Sequence, residues 1–235
     1  MKRCLIVDDS RVVRKVARRI VEDLRFEADE AADGQQALVT IARAQTPPTI
    51  DGFLDDKAWK NAVVIGCGPI GLLVGLCLRY AGTENTLLCD ISPQREKRAA
   101  GLNFQTINSS EENLADRVAA MSGGEGADIL FECAGSAPVA LQMCDLVRPR
   151  GKIVMVSVHK EPHPVDLRAI TFKEISLVGT RVYTRDDFRR AIQILPELPY
   201  QDVISHRFEL EQGAEGFEIM GQAADACKVI IRTEY

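Results

Sequence analysis

No stretch of this chain limits its fold more than Ala62-Val-Val-Ile-Gly-Cys-Gly-Pro-Ile-Gly71. A short β-branched run, Val63 to Ile65, leads into glycines at 66, 68 and 71, the G-x-G-x-x-G spacing. Each glycine has its own physical job. Gly66 lets the chain turn sharply off a strand, Gly68 leaves bare backbone for a pyrophosphate, and Gly71 lets the next helix pack close. That helix carries Leu72, Leu73, Leu76, Cys77 and Tyr80, and its N-terminus offers N–H groups and a positive dipole end to phosphate. A second strand, Thr86-Leu-Leu-Cys-Asp90, ends in a carboxylate at the distance expected for a ribose hydroxyl ligand. Strand, glycine turn, helix and acidic strand end together predict a dinucleotide site at Gly66, Gly68, Pro69, Ile70, Gly71 and Asp90.

At 235 residues the chain is long enough for one large domain or two small ones. A net charge of −5 and a pI near 5.4 give no electrostatic case for nucleic acid or an anionic membrane as partner. No apolar run reaches the roughly 20 residues that a bilayer span needs, and Met1-Lys-Arg-Cys4 leads straight into a strand, not a signal peptide. The cysteines (4, 67, 77, 89, 133, 144 and 227) fall mostly within apolar patterns and make no C-x-x-C pair. Neither a zinc site nor a disulfide framework is predicted. Free thiols of this kind suit a reducing compartment, and the cytoplasm is the expected location.

Residues 1–45 read as β-α-β-α. Cys4 to Val7 is a strand ending in Asp8-Asp9, and Ser10 caps a helix with Val12, Val13, Val16, Ile20 and Leu24 on one side. Arg11, Arg14, Lys15, Arg18 and Arg19 form a solvated basic face on the other. Phe26 to Ala31 is a short second strand, and Ala32-Asp-Gly34 turns into a helix through Ala37, Leu38 and Ile41. Val7-Asp-Asp-Ser10 and Ala32-Asp-Gly-Gln-Gln-Ala-Leu38 resemble the first half of a response-regulator receiver domain, a flavodoxin-like fold. The resemblance implies Mg²⁺ held by Asp8 and Asp9, chemistry that suits two neighbouring carboxylates. The later parts of that pattern are missing: there is no third strand ending in an acceptor aspartate, no switch Ser/Thr and no Lys-Pro near a fifth strand. Phosphotransfer is therefore not expected.

Residues 46–60 read as a linker or short helix, opened by Pro47 and Pro48, with Trp59 packing against a domain. From residue 61 to 235 strands and helices alternate as a parallel sheet requires. Helices are expected at Pro93 to Ala100, Glu111 to Met121, Val139 to Leu146 and Asp186 to Leu195. Further strands are expected at Phe104 to Ile107, Ala127 to Glu132, Gly151 to Ser157 and Ile175 to Gly179. A coda follows at Val203 to Phe208, Leu210 to Met220 and Lys228 to Ile231. The expected fold class is α/β, a doubly wound parallel sheet preceded by the receiver-like fragment.

Residues 61–235 resemble the Rossmann cofactor domain and C-terminal tail of medium-chain zinc-type alcohol and polyol dehydrogenases, of the sorbitol, threonine and butanediol dehydrogenase kind. The matching residues are Gly66-Cys-Gly-Pro-Ile-Gly71, Asp90 with Arg95, Phe131-Glu-Cys-Ala-Gly135, Arg150-Gly-Lys-Ile-Val154 and Lys228-Val-Ile-Ile231. The resemblance implies that the Ile70 N–H faces pyrophosphate, that Asp90 takes the adenosine ribose and that Arg95 lies by the adenine. Cys133, Ala134 and Gly135, Val156, Ser157 and Val158, and Gly179, Thr180 and Arg181 would form the loops around the nicotinamide. An acid at position 90 would repel a 2′-phosphate, so NAD is expected in preference to NADP. The strand from Ile175 to Gly179 reads as an exposed edge, and a homodimer through it is expected.

In that family a separate N-terminal domain carries the catalytic zinc, the proton relay and the substrate pocket. Here the receiver-like half and linker stand in its place. His159, His163 and His206 have no ligand partner in sequence, and the Pro-rich stretch Lys160-Glu-Pro-His-Pro164 gives the first two no fixed geometry. No zinc is expected. The favoured reading is a chimera whose second part binds NAD(H) with little or no catalysis of its own. The rival readings are an active NAD-dependent alcohol or polyol dehydrogenase with its catalytic part supplied elsewhere, and a receiver-type signalling protein.

Overall fold

In the computed structural model of the chain, residues 3–7, 15, 18, 19, 22, 27–31, 59–222 and 226–232 are described. The chain divides into two units, residues 1–53 and 54–235. In the first, β1 (Arg3–Val7) and β2 (Glu27–Ala31) pair in parallel, from Arg3 against Glu27 to Val7 against Ala31. Lys15, Arg18, Arg19 and Glu22 are helical, and Arg18 donates to Glu22 at 3.1 Å across one helical turn. Lys15 and Arg19 are exposed. The expected Mg²⁺ ligands Asp8 and Asp9, and the expected linker up to residue 58, lie outside the described residues.

The second unit is built outward from β3 (Asn61–Ile65), whose five residues are all buried. Successive strand side chains point to opposite faces. Val63 and Ile65 accordingly enter one apolar cluster, and Ala62 and Val64 enter another. A strand apolar on both faces needs helices on both sides of its sheet. The sheet has six parallel strands: β3, β4 (Asn85–Asp90), β5 (Gln105–Asn108), β6 (Ala127–Glu132), β7 (Val147–Met155) and β8 (Ser176–Gly179). Their spatial order is β5-β4-β3-β6-β7-β8. One face is covered by α1 (Pro69–Tyr80) and α2 (Pro93–Gly101), through Leu72, Leu76 and Ala99. The other is covered by α3 (Leu114–Ser122) and α4 (Ala137–Gln142), through Leu114, Val118 and Val139. The winding reverses between β3 and β6, which opens a crevice at the carboxyl ends of the strands.

Several boundaries differ from those expected, each for a local reason. The helix expected from Glu111 starts at Leu114, because the Asn113 side chain accepts the N–H groups of Ala115 and Asp116. The helix expected from Val139 to Leu146 starts earlier, with Pro138 in its first turn, and ends at Gln142. The strand expected from Gly151 begins at Val147 and ends at Met155. Its register against β6 jumps from Val147 opposite Ala127 to Lys152 opposite Ile129, with Arg150 at φ 60° in the bulge. A helix absent from the sequence reading, α5 (Leu167–Lys173), is capped by Asp166. None of its residues is fully buried, so its apolar periodicity is weak. After α6 (Arg185–Ile194), the tail forms a separate parallel pair, β9 (Ile204–Glu209) and β10 (Lys228–Arg232), with α7 (Gly213–Gln222) between them in sequence. Trp59 packs edge-on against Phe131, with ring centres 6.4 Å apart.

At the amino end of the sheet Asp128 ties three strands together. Its Oδ2 accepts the N–H groups of Lys60 and Asn61 at 2.9 and 2.7 Å, and its Oδ1 accepts from Arg148 at 2.5 Å. Burial pushes this carboxyl up, but the Asn61 N–H, the Arg148 guanidinium and the Lys60 N–H together hold it below its ordinary value. A carboxyl depressed in the folded state contributes stability that is fully present above its unfolded pKa, about 3.9, and is lost as pH falls through the folded value. Asp128→Asn is expected to cost about 1–3 kcal/mol at pH 7. The gap from wild type should shrink below about pH 4, as measured by urea unfolding across that range.

Candidate dinucleotide site

The three glycines of the loop differ in what surrounds them. Gly66 sits at φ +102°, and a Cβ there would lie 3.0 Å from the backbone of Cys133 and Ala134. A Cβ on Gly71 would fall 1.8 Å from the Gly66 carbonyl oxygen. Gly68 is the opposite case, with nothing within 4 Å of an added Cβ. It is the N-cap of α1 and has no side chain to cap the helix. The first bond into the helix runs from the Leu72 N–H to the Gly68 carbonyl at 3.0 Å. The N–H groups of Ile70 and Gly71 precede that bond, where a helix has donors to spare. Open space and donors thus coincide at Gly68.

Asp90 closes the loop from behind. It is buried at the end of β4, accepting the Cys67 N–H on Oδ2 at 2.7 Å and the Ser92 N–H on Oδ1 at 2.9 Å. A carboxylate presents about four lone-pair positions, so about two remain for a ligand's hydroxyls. Beside the loop lies a cavity of about 310 Å³, lined by Gly68, Pro69, Gln94, Arg95, Arg98 and Lys228 among others. Arg95, expected beside an adenine, is one of the residues that line this cavity. Arg98 and Lys228 add two cations to its lining, and Ala226, Cys227 and Val229 line it as well. Position alone in the sequence did not mark Arg98, because only helical periodicity from Arg95 puts it on that face.

Across the crevice three loops follow β6, β7 and β8. Cys133 donates its N–H to the Ile65 carbonyl at 2.8 Å, and Thr180 donates to Met155 at 3.0 Å. Ala134, Val158, Thr180 and Arg181 are exposed, while Cys133, Val156 and Ser157 are half-buried. The sequence reading missed Glu132. It is fully buried and takes the N–H groups of Ala134 and Gly135, the Ser157 hydroxyl, and His159 Nε2 at 3.2 Å. The signal was present, since Glu132 ends its strand as Asp90 ends β4. The histidines also need correcting: His159 is fixed by Glu132 and meets the His163 ring edge-on at 5.1 Å.

The described residues do not fit a zinc ion. Among them no group of three His, Cys, Asp or Glu side chains could hold a metal. A thiol must ionise to ligate, and burial, followed by the charge of Glu132, pushes Cys133 up to about 12. Burial likewise raises Cys67, with Asp90 adding to it. No helix among the described residues is long and apolar enough to cross a membrane.

Residues 69–197 match the zinc-binding dehydrogenase family. The chain belongs to it. It is 37% identical over 139 residues to 2-dehydro-3-deoxy-L-galactonate 5-dehydrogenase of Pseudoalteromonas atlantica, covering 59% of this chain and 40% of that protein. It is 29% identical over 181 residues to L-threonine 3-dehydrogenase of Rhizobium etli, covering 75% and 52%. Among solved structures, 2R,3R-butanediol dehydrogenase of Bacillus subtilis matches with a TM-score of 0.69 and 27% identity, over 74% of this chain and 51% of that one. The chain spans about half the length of the relatives it matches. The stretch matching the zinc-binding dehydrogenases starts at Pro69, inside the glycine loop, and runs past β8.

The glycine geometry separates folding from binding. Gly71→Ala forces backbone apart and is expected to cost on the order of 3 kcal/mol or more. Gly68→Ala adds a methyl into open space at φ −68° and should cost within about 1 kcal/mol. Urea unfolding of both variants checks the contrast.

Proposed function

We propose that residues 61–235 bind NAD(H), in preference to NADP(H), and that the chain by itself does not turn over alcohols. The observation that carries this reading is the open space at Gly68 between two glycines that are jammed against backbone, with the Asp90 carboxylate behind them. In this reading the pyrophosphate rests on Gly68 and Pro69 and takes the Ile70 N–H. Asp90 accepts the adenosine ribose hydroxyls, and Arg95 flanks the adenine. Residues 133–135, 156–158 and 179–181 border the nicotinamide. The bound dinucleotide supplies a hydride acceptor, and the chain's own residues supply orientation and a partly dry wall. The parallel pair β1–β2 supports reading residues 1–45 as a receiver-type fragment.

Fluorescence titration should give NADH a Kd at least about tenfold below that of NADPH. Asp90→Ala should remove that preference, and Gly68→Ala should weaken NADH about tenfold or more by filling the phosphate seat. Tighter binding of NADPH by the unaltered chain would sink the proposal.

With NAD and a diol or threonine, no NADH should accumulate above a protein-free blank. Zinc-dependent NAD reduction abolished by a chelator would show the opposite. Coverage of only about half of each relative favours one second reading, a dehydrogenase whose catalytic part comes from another chain.

A homodimer through β8 belongs to the same proposal. β8 ends the sheet, pairs with β7 on one side, and carries the part-exposed Leu177. Light scattering should give about twice 25.9 kDa; a single-chain mass at high micromolar concentration would exclude the dimer.

A further inference from the structure

Glu132 stands where the winding of the sheet reverses, opposite Ile65 on β3, and is fully buried. Taking a carboxylate out of water is costly unless its lone pairs are met. Here they are all met by two loops. Oε1 accepts the N–H groups of Ala134 and Gly135, both at 2.8 Å. Oε2 accepts the Ser157 hydroxyl and lies 3.2 Å from His159 Nε2. The main-chain carbonyl of the same residue takes the N–H groups of Val156 and Ser157 at 2.9 and 3.0 Å. Glu132 thus bonds both the loop after β6 and the loop after β7.

We propose that Glu132 is a positioning residue for the nicotinamide half of the dinucleotide site, holding residues 133–135 and 156–159 at a fixed separation without touching the cofactor. This rests on the NAD(H) reading above. The two oxygens divide the work, with Oε1 fixing the loop beside Gly66 and Oε2 fixing the loop across from it. His159 makes the second arm sensitive to polarity. Its Nε2 faces an acceptor, so that nitrogen carries the proton. Its Nδ1 is buried with no hydrogen-bond partner among the described residues. Glu132→Gln keeps an acceptor for Ala134 and Gly135 but turns a donor toward Ser157 and His159. The hydroxyl can rotate to accept. His159 can accept only by moving its proton to Nδ1, where no acceptor waits, so the 156–159 loop is the one displaced.

The test compares NADH with ADP-ribose, which lacks the nicotinamide, by titration calorimetry on the full chain. Glu132→Gln should weaken NADH about tenfold and leave ADP-ribose within about twofold of wild type. His159→Leu, which removes one contact and no buried carboxylate, should show the same split at about threefold, and it decides the matter if Glu132→Gln does not fold. A parallel loss of both ligands means that Glu132 only supports the fold, and an unchanged NADH affinity means that the loops do not need it; either result overturns the proposal. A wild-type chain that binds neither ligand overturns the cofactor reading itself, and this inference with it.

Discussion

Burial of β3 on both faces is the condition from which the second unit follows. Five consecutive buried residues leave the strand no wet side, so helices must cover the sheet above and below. Parallel strands need crossovers, and crossovers of one hand can cover both faces only if the winding reverses. The reversal falls between β3 and β6. The glycine loop leaves the sheet at that point, and the close approach of Gly71 to the Gly66 carbonyl lets α1 cover β3 without a gap.

The neighbouring strand, β6, carries a buried or nearly buried carboxylate near each end. Asp128 gathers the starts of β3 and β7 at the amino edge. Glu132 gathers the loops after β6 and β7 at the carboxyl edge. Between them Ile129 and Leu130 are fully buried and enter opposite apolar clusters. Apolar contact therefore holds the middle of the sheet, while directional bonds to charged acceptors fix its two edges. Such bonds are stronger than those between neutral groups, and a crevice built by loops needs that directionality because apolar packing alone does not specify loop position.

Membership of the zinc-binding dehydrogenases covers the cofactor half of those proteins and leaves the rest of their length unmatched. The chemistry of the described residues agrees with that division. Arg95, Arg98 and Lys228 line one cavity with Gly68 and Pro69 of the glycine loop, whereas burial pushes Cys67 and Cys133 toward the neutral thiol.

The sequence by itself determined the glycine turn and the acidic strand end at Asp90, because both are local: one turn, one helix start and the end of the next strand. It also determined the doubly wound class, since β-branched runs alternating with helical periodicity leave few other arrangements. Boundaries set by caps, such as Asn113 and Asp166, were legible only in part, because a cap is recognised by the N–H groups it meets. The tertiary structure alone decided the contacts of Glu132, whose partners lie on two loops up to 27 residues away, and the meeting of Arg95 and Arg98 with Lys228 around one cavity. Those contacts join segments far apart in the chain, and no local pattern records a distance that only the closed sheet creates.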